Sequence, residues 1–223
     1  MKIFWFAKKN EINILKRLKH KSLMCLFEVY NTRNKVILNT EYCGTVSLRD
    51  FIMMKSEGLS EERRIEKYKE IFKELIKAIN YLHLMNVSHR DLKLDNILIN
   101  EDGKLKLIDF GFAVYRQDRN DLIDNFCGTP TYMAPEIIKR DPYDPHKADI
   151  WALGVLLFRM ITNRYPFKGA TDEELFNRIL NSDFQFDKQV PDPLKKLFFR
   201  VFEVNPAKRA SAMDILKSEW FNE

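Results

Sequence analysis

Four polar residues stand close together near the middle of the chain: Asp91, Lys93, Asn96 and Asp109. Two carboxylates and an amide oxygen are hard oxygen ligands of the kind Mg²⁺ takes, and that ion bridges phosphate oxygens. A lysine two residues from an aspartate can neutralise phosphate charge while the aspartate orients a hydroxyl. Phosphoryl transfer asks for this positioning and charge stabilisation more than for covalent catalysis. Spacing alone leaves other chemistries open, including metal-dependent hydrolysis on the same carboxylates.

The elements that must position these groups are legible from periodicity. Strand-like runs at 97–100 and 104–108 flank the turn Glu101-Asp102-Gly103 and read as a hairpin, placing Asn96 and Asp109 at its two ends. Ahead of it, Ile65, Tyr68, Phe72, Leu75, Ile79 and Leu82 recur at intervals of three and four, predicting a long amphipathic helix capped by Ser60. Residues 147–161 are apolar nearly all round, a buried central helix, and further helices are expected at 171–180, 192–203 and 211–217. Residues 110–135 lack periodicity and read as an ordered functional loop. The first third is mixed, with a helix over 8–19 presenting Ile12, Leu15 and Leu18, then strands at 26–30 and 36–40.

Composition excludes several classes. A length of 223 residues buries a substantial core in one or two domains. Its 37 basic and 32 acidic residues are interspersed, and the net +5 reads as a solvated mixed surface, so no nucleic-acid partner is expected. Cys25, Cys43 and Cys127 form neither a CxxC pair nor a Cys/His cluster, which argues against disulfides and structural zinc and for a reducing compartment, cytoplasmic or nuclear. The longest apolar run, 150–158, is too short to span a bilayer, and no membrane insertion is expected. Lys2 followed by Ile3-Phe4-Trp5-Phe6-Ala7 is too short, and too soon followed by Lys8-Lys9, to be a leader.

The run His89-Arg90-Asp91-Leu92-Lys93-Leu94-Asp95-Asn96, then Asp109-Phe110-Gly111 and Ala134-Pro135-Glu136, resembles in order and spacing the catalytic loop, metal-binding motif and activation-segment end of serine/threonine protein kinases. The resemblance covers nearly the whole chain. It implies an α+β, two-lobed fold: a partial small lobe over residues 1–43 and a complete helical large lobe over 44–223. It implies Asp91 as the group that orients the substrate hydroxyl, Lys93 on the transferred phosphate, and Asn96 and Asp109 as Mg²⁺ ligands. Glu11 matches the ion-pairing glutamate of the small-lobe helix, Thr40 the gatekeeper, Glu41-Tyr42-Cys43 the hinge against adenine, and Leu98 the floor beneath it. Asp149, Trp151 and Gly154 match the buried large-lobe helix, and Arg209 the partner of Glu136. Gly128–Met133 together with Lys93 resembles the serine/threonine class, and Phe126–Pro130 with Tyr165-Pro166-Phe167 is similar to calcium/calmodulin-dependent and related kinases. ATP and protein substrates are the implied partners; the sequence does not address oligomeric state.

Several residues have plainer roles. His89 reads as a packed residue supporting Phe110, Glu136–Arg209 as a structural buried pair, Cys43 and Cys127 as small buried residues, and Met53-Met54 as packing.

Departures from the family pattern set further expectations. No Gly-x-Gly-x-x-Gly and no Val-Ala-Ile-Lys occurs, and with ten residues ahead of Glu11 the small lobe is expected to hold one helix and two strands. Lys2 is a weak candidate for the phosphate-gripping lysine. Losing ~100 Å² of apolar roof over adenine costs about 2.5 kcal/mol, and losing one charge donor costs on the order of 10²–10³ in rate. Weak ATP binding and little turnover follow, with a non-catalytic interaction module as the rival reading. No serine or threonine lies between Phe110 and Cys127, which leaves two readings: Asp121 or Asp124 partly stands in for a phosphate at Arg90, or the acidic loop is simply solvated. Ser47 and Arg159 sit where relatives that select arginine carry glutamates, leaving Asp95 as the acid there and predicting little arginine selection.

Overall fold

The computed structural model describes residues 2–4, 9–33, 35–55, 60–186 and 190–222. Strand β1 (Lys2–Phe4) and helix α1 (Lys9–Leu15) precede strands β2 (Leu26–Asn31) and β3 (Val36–Thr40). The three strands form one antiparallel sheet in the order β1-β3-β2. The sequence predicts two strands here; the third is a correction. Lys2, Ile3 and Phe4 pair with Leu38, Ile37 and Val36, filling the β3 edge that β2 leaves open. The ten residues ahead of Glu11 thus include a strand. The Lys2 side chain, and Trp5, Phe6 and Ala7 of the run weighed as a leader, lie outside what the structure describes.

Helix α1 is shorter than the expected 8–19. After Leu15 the chain tightens into three-residue turns, Arg17 N–H to Ile14 O and Leu18 N–H to Leu15 O. That twist buries Ile14, Leu15 and Leu18 and leaves Ile12 half-buried.

Strand β4 (Val46–Ser47) and helix α2 (Leu48–Lys55) lead into α3 (Glu61–Leu84), where the Ser60 hydroxyl accepts the Arg63 N–H at 3.4 Å. Tyr68, Phe72, Leu75, Ile79 and Leu82 are buried as their spacing demands. Met53 and Met54 are not packing residues: both point outward from α2, 59% and 70% exposed, because Phe51 and Ile52 take its inner face. Strand β5 (Val87–Ser88) pairs with β8 (Val114–Tyr115), and β6 (Ile97–Ile99) pairs with both β4 and β7 (Leu105–Leu107). The β6–β7 turn closes where Gly103, at φ +74°, donates its N–H to Asn100 O.

Helix α4 (Pro135–Lys139) follows the loop, then α5 (Pro145–Thr162), α6 (Asp172–Leu180), α7 (Asp192–Val201), α8 (Ala212–Leu216) and α9 (Glu219–Asn222). Helix α5 is the axis of the large core, buried on all sides. A Cβ at Gly154 would sit 2.8 Å from both Val201 and Phe202, so only glycine lets α5 and α7 meet this closely. Sheet beside helices, with the helices dominant, is the α+β arrangement the sequence implies.

Candidate active site

The polar residues converge because two backbone segments are clamped together. On one side, the buried Asp149 of α5 accepts the His89 N–H at 2.9 Å and the Arg90 N–H at 2.8 Å, and meets His83 Nε2 at 3.1 Å. This clamp supports Arg90 at φ +67°, a conformation side-chain-bearing residues seldom adopt. Burial pushes the Asp149 carboxyl up, but the hydrogen bonds from His83 and the loop N–H, with His83 charge, outweigh it and hold the group below its ordinary range. On the other side, Ile108 donates its N–H to Asn96 O at 2.9 Å, which puts Asp109 beside Asn96.

Asp91, 6% exposed, is the centre of the cluster. Its Oδ2 meets Lys93 Nζ at 2.6 Å and Asn96 Nδ2 at 2.9 Å, while its Oδ1 accepts the Thr129 hydroxyl at 3.1 Å. Asn96 Nδ2 also donates to the Asp91 carbonyl at 2.9 Å. Its N–H groups are thereby turned to Asp91, and its amide oxygen is left as an acceptor. Asp109 sits at φ +63° with Oδ1 accepting the Gly111 N–H at 3.2 Å. Neighbouring amide and carboxylate oxygens of this kind fit a divalent ion such as Mg²⁺.

His89 is the packing residue its sequence context suggests. Burial lowers its pKa, Nε2 lies 3.0 Å from the Ile108 carbonyl, and Nδ1 accepts the Asp91 N–H at 3.3 Å. Those partners fix one neutral tautomer with no proton to trade. Its ring meets Phe110 edge-on, centroids 5.1 Å apart.

Beside this cluster, a cavity of about 210 Å³ is lined by Met24, Thr40, Glu41, Tyr42, Cys43, Gly44, Leu98 and Ile108. It gathers the five residues expected around adenine, Thr40, Glu41, Tyr42, Cys43 and Leu98. The Glu41 carboxylate is already engaged, by Lys106 at 2.6 Å and the Cys25 N–H at 3.3 Å, so only its backbone is left to face a ligand. Sequence reasoning missed Met24, Gly44 and Ile108. Ile108 was findable as the residue before Asp109; Met24 carried no signal. Glu11 is buried on α1 and does not line this cavity.

The loop is ordered differently from the expectation. Neither Asp121 nor Asp124 stands at Arg90, whose Nη2 instead meets Cys127 Sγ at 2.6 Å and the Asn125 carbonyl at 3.4 Å. Cys127 is therefore a half-buried partner of Arg90. Asp121 turns its carboxylate to the Asp118 N–H and its carbonyl to Arg116. Arg116 is the anchor: 3% exposed, it donates from Nη1 to the Asp121 carbonyl at 2.9 Å. Its Nη2 lies 2.9 Å from Asp144 Oδ1 and 2.8 Å from His146 Nδ1. A loop arginine whose side-chain partners lie 28 and 30 residues on gives no pattern in sequence. At the end of the loop, Arg209 grips Glu136 with two bonds of 2.7 and 2.8 Å, the structural pair the sequence implies.

The profile of the protein kinase domain matches residues 6–221. The chain belongs to the protein kinase domain family. The chain is 38% identical over 215 residues to CBL-interacting serine/threonine-protein kinase 19 of Arabidopsis thaliana, covering 96% of this chain and 43% of that one. It is 36% identical to CBL-interacting protein kinase 12 of Oryza sativa subsp. japonica, covering 96% and 39%. It is also 36% identical to putative sperm motility kinase W of Mus musculus, covering 99% and 44%. The chain thus spans less than half the length of these three relatives. As a kinase domain it has the α+β fold described above, and the protein kinase family reaction uses ATP, generally with Mg²⁺. Among the described residues no helix is long and apolar enough to cross a membrane.

Proposed function

We propose that this cleft transfers phosphoryl groups from ATP to serine or threonine hydroxyls of proteins. The carrying observation is Asp91, its two oxygens fixed by Lys93, Asn96 and the Thr129 hydroxyl. A substrate hydroxyl takes the place of Thr129 as donor to Oδ1, and Asp91 orients it toward the phosphate. Lys93 stabilises the transferred phosphate. Asn96 and Asp109 hold Mg²⁺, which when bound draws charge from the phosphate oxygens. Thr40, the backbone of Glu41 and Cys43, and Leu98 face adenine. Glu11 stays assigned as the small-lobe glutamate on the resemblance, with residues 1–43 as small lobe and 44–223 as large lobe. The three free cysteines support a reducing, cytoplasmic or nuclear setting.

The test is label transfer from γ-labelled ATP with Mg²⁺ to a serine peptide by the full chain. Because the 223 residues contain no glycine-rich loop, the expected rate is low. Asp91→Asn is expected to reduce it a further ~10²-fold or more. Equal transfer by Asp91→Asn refutes the assignment. Nucleotide binding without transfer overturns the catalytic reading in favour of a docking module.

A further inference from the structure

His146 is the second residue of α5, and the capping Asp144 carboxylate accepts its N–H at 2.9 Å. On one edge of the ring, Nδ1 lies 2.8 Å from Arg116 Nη2. A guanidinium only donates, so Nδ1 accepts, and the ring is neutral with its proton on Nε2. Burial, with the charges of His83 and Arg116, keeps it so, at a pKa of about 3. Nε2 is shielded from solvent and has no partner among the described residues. An unmet buried N–H costs stability, so the other contacts of this ring decide its placement.

The chief of these is a stack. The His146 and His83 rings lie with centroids 4.3 Å apart and planes 25° from parallel. His83 Nε2 stands 3.1 Å from Asp149 Oδ2, a carboxylate oxygen that can only accept. The same carboxylate holds the N–H groups of His89 and Arg90, the two residues ahead of Asp91. An unbroken series of contacts therefore runs from the loop anchor Arg116 through His146, His83 and Asp149 to the backbone that carries Asp91. Arg116 is 3% exposed and Asp149 1%, so water competes little at either end. Without Arg116, both ring nitrogens of His146 would lack a partner, and the ring would gain by turning to water and leaving His83.

We infer that His146 is a positioning residue for the reaction: one ring nitrogen receives Arg116 from the loop, and its stack on His83 steadies the Asp149 clamp that sets Asp91. This rests on the kinase reading of the cleft and adds the route by which the order of the loop reaches the catalytic aspartate. The route needs no phosphate, and the loop offers no serine or threonine between Phe110 and Cys127 to carry one.

The test is amide exchange of the full chain resolved by NMR, which needs no turnover, with label transfer from ATP read in parallel. Arg116→Met should speed exchange of the His89 and Arg90 amides about fivefold while the core amides of α5 keep their rates. His146→Phe keeps a ring on His83 but offers Arg116 no nitrogen. In that background Arg116→Met should change the same two amides by less than about twofold. A histidine that only fills space predicts equal effects in both backgrounds. That result, or no effect of Arg116→Met in the parent chain, overturns the inference. Should His146→Phe fail to fold, His146→Asn supplies the answer, because its Oδ1 can replace Nδ1 while no ring remains to stack. Exchange over 116–123 within about twofold of the parent, with His89 and Arg90 about fivefold faster, supports the route; unchanged His89 and Arg90 amides overturn it. Coupled exchange in a chain that transfers no label establishes the route and refutes the catalytic reading instead.

Discussion

Replacing Asp149 by asparagine preserves volume and removes one charge, isolating the clamp on the catalytic loop. Three donors converge on that carboxylate: the Arg90 N–H at 2.8 Å on Oδ1, and the His89 N–H at 2.9 Å and His83 Nε2 at 3.1 Å on Oδ2. Asparagine offers one oxygen, and its NH₂ must then face at least one N–H in a site 1% exposed. Each hydrogen bond to a charged group is worth about 1.5–3 kcal/mol, and one or two are lost. Asparagine avoids the burial penalty of the carboxylate, so a net loss of about 2–4 kcal/mol is expected. For a domain of this length that lowers the melting temperature by roughly 4–16 °C. The backbone support for Arg90 at φ +67° weakens too, so phosphoryl transfer should fall along with stability. The assay is equilibrium urea unfolding with the slope checked for constancy, followed by label transfer under folding conditions. Because the folded carboxyl titrates below its ordinary value, its contribution is full above about pH 4 and disappears as pH falls through the folded value. The variant should lose that part of the acid dependence. A destabilisation below about 1 kcal/mol with unchanged transfer would refute the clamp.

Arg116→Met should cost about 2–4 kcal/mol, less than a fully enclosed pair because Asp144 is partly open to water. Amide exchange over 116–123 should quicken at least tenfold while α3 is unaffected; unchanged exchange there would show that Arg116 does not order the loop. Burial, with help from the charges on His83 and Arg116, lowers the His146 pKa to about 3. The unfolded chain takes up that proton near pH 6.5, so stability should fall as pH drops from 6.5 toward 3, by at most about 1.4 kcal/mol per unit from this group. Buried His89 adds in the same direction. His146→Gln should flatten the slope, and a wild-type stability constant between pH 7 and 5 would contradict this account.

Much of the site was legible because its parts are local. The spacing from Asp91 to Asn96 is set by one tight loop, and Asp109 is delivered by the hairpin that the turn at Gly103 closes. Helix α3 announced itself by period and cap, and α5 by being apolar on every face. The illegible features were of another kind. Met53 and Met54 look like core until Phe51 and Ile52 are seen to own the inner face of α2. The β1 strand gains its hydrogen bonds from β3, more than thirty residues on, so three residues of sequence could not disclose it. Acidic residues near Arg90 suggested a phosphate substitute, but the loop path, fixed by Ile123 bridging Tyr143, carries Asn125 and Cys127 there instead.

Sequence by itself determined the chemistry: which ligands and charges exist, the family they belong to, and the helices whose apolar faces repeat within a single element. Tertiary structure alone decided which charges are already spent. Asp95 is neutralised by Arg49, the Glu41 carboxylate by Lys106, and Arg116 is held from α5, each by partners at least 28 residues distant. Pairing of that kind depends on where folded segments meet, and electrostatic energy depends on distance and burial, neither of which a linear pattern contains.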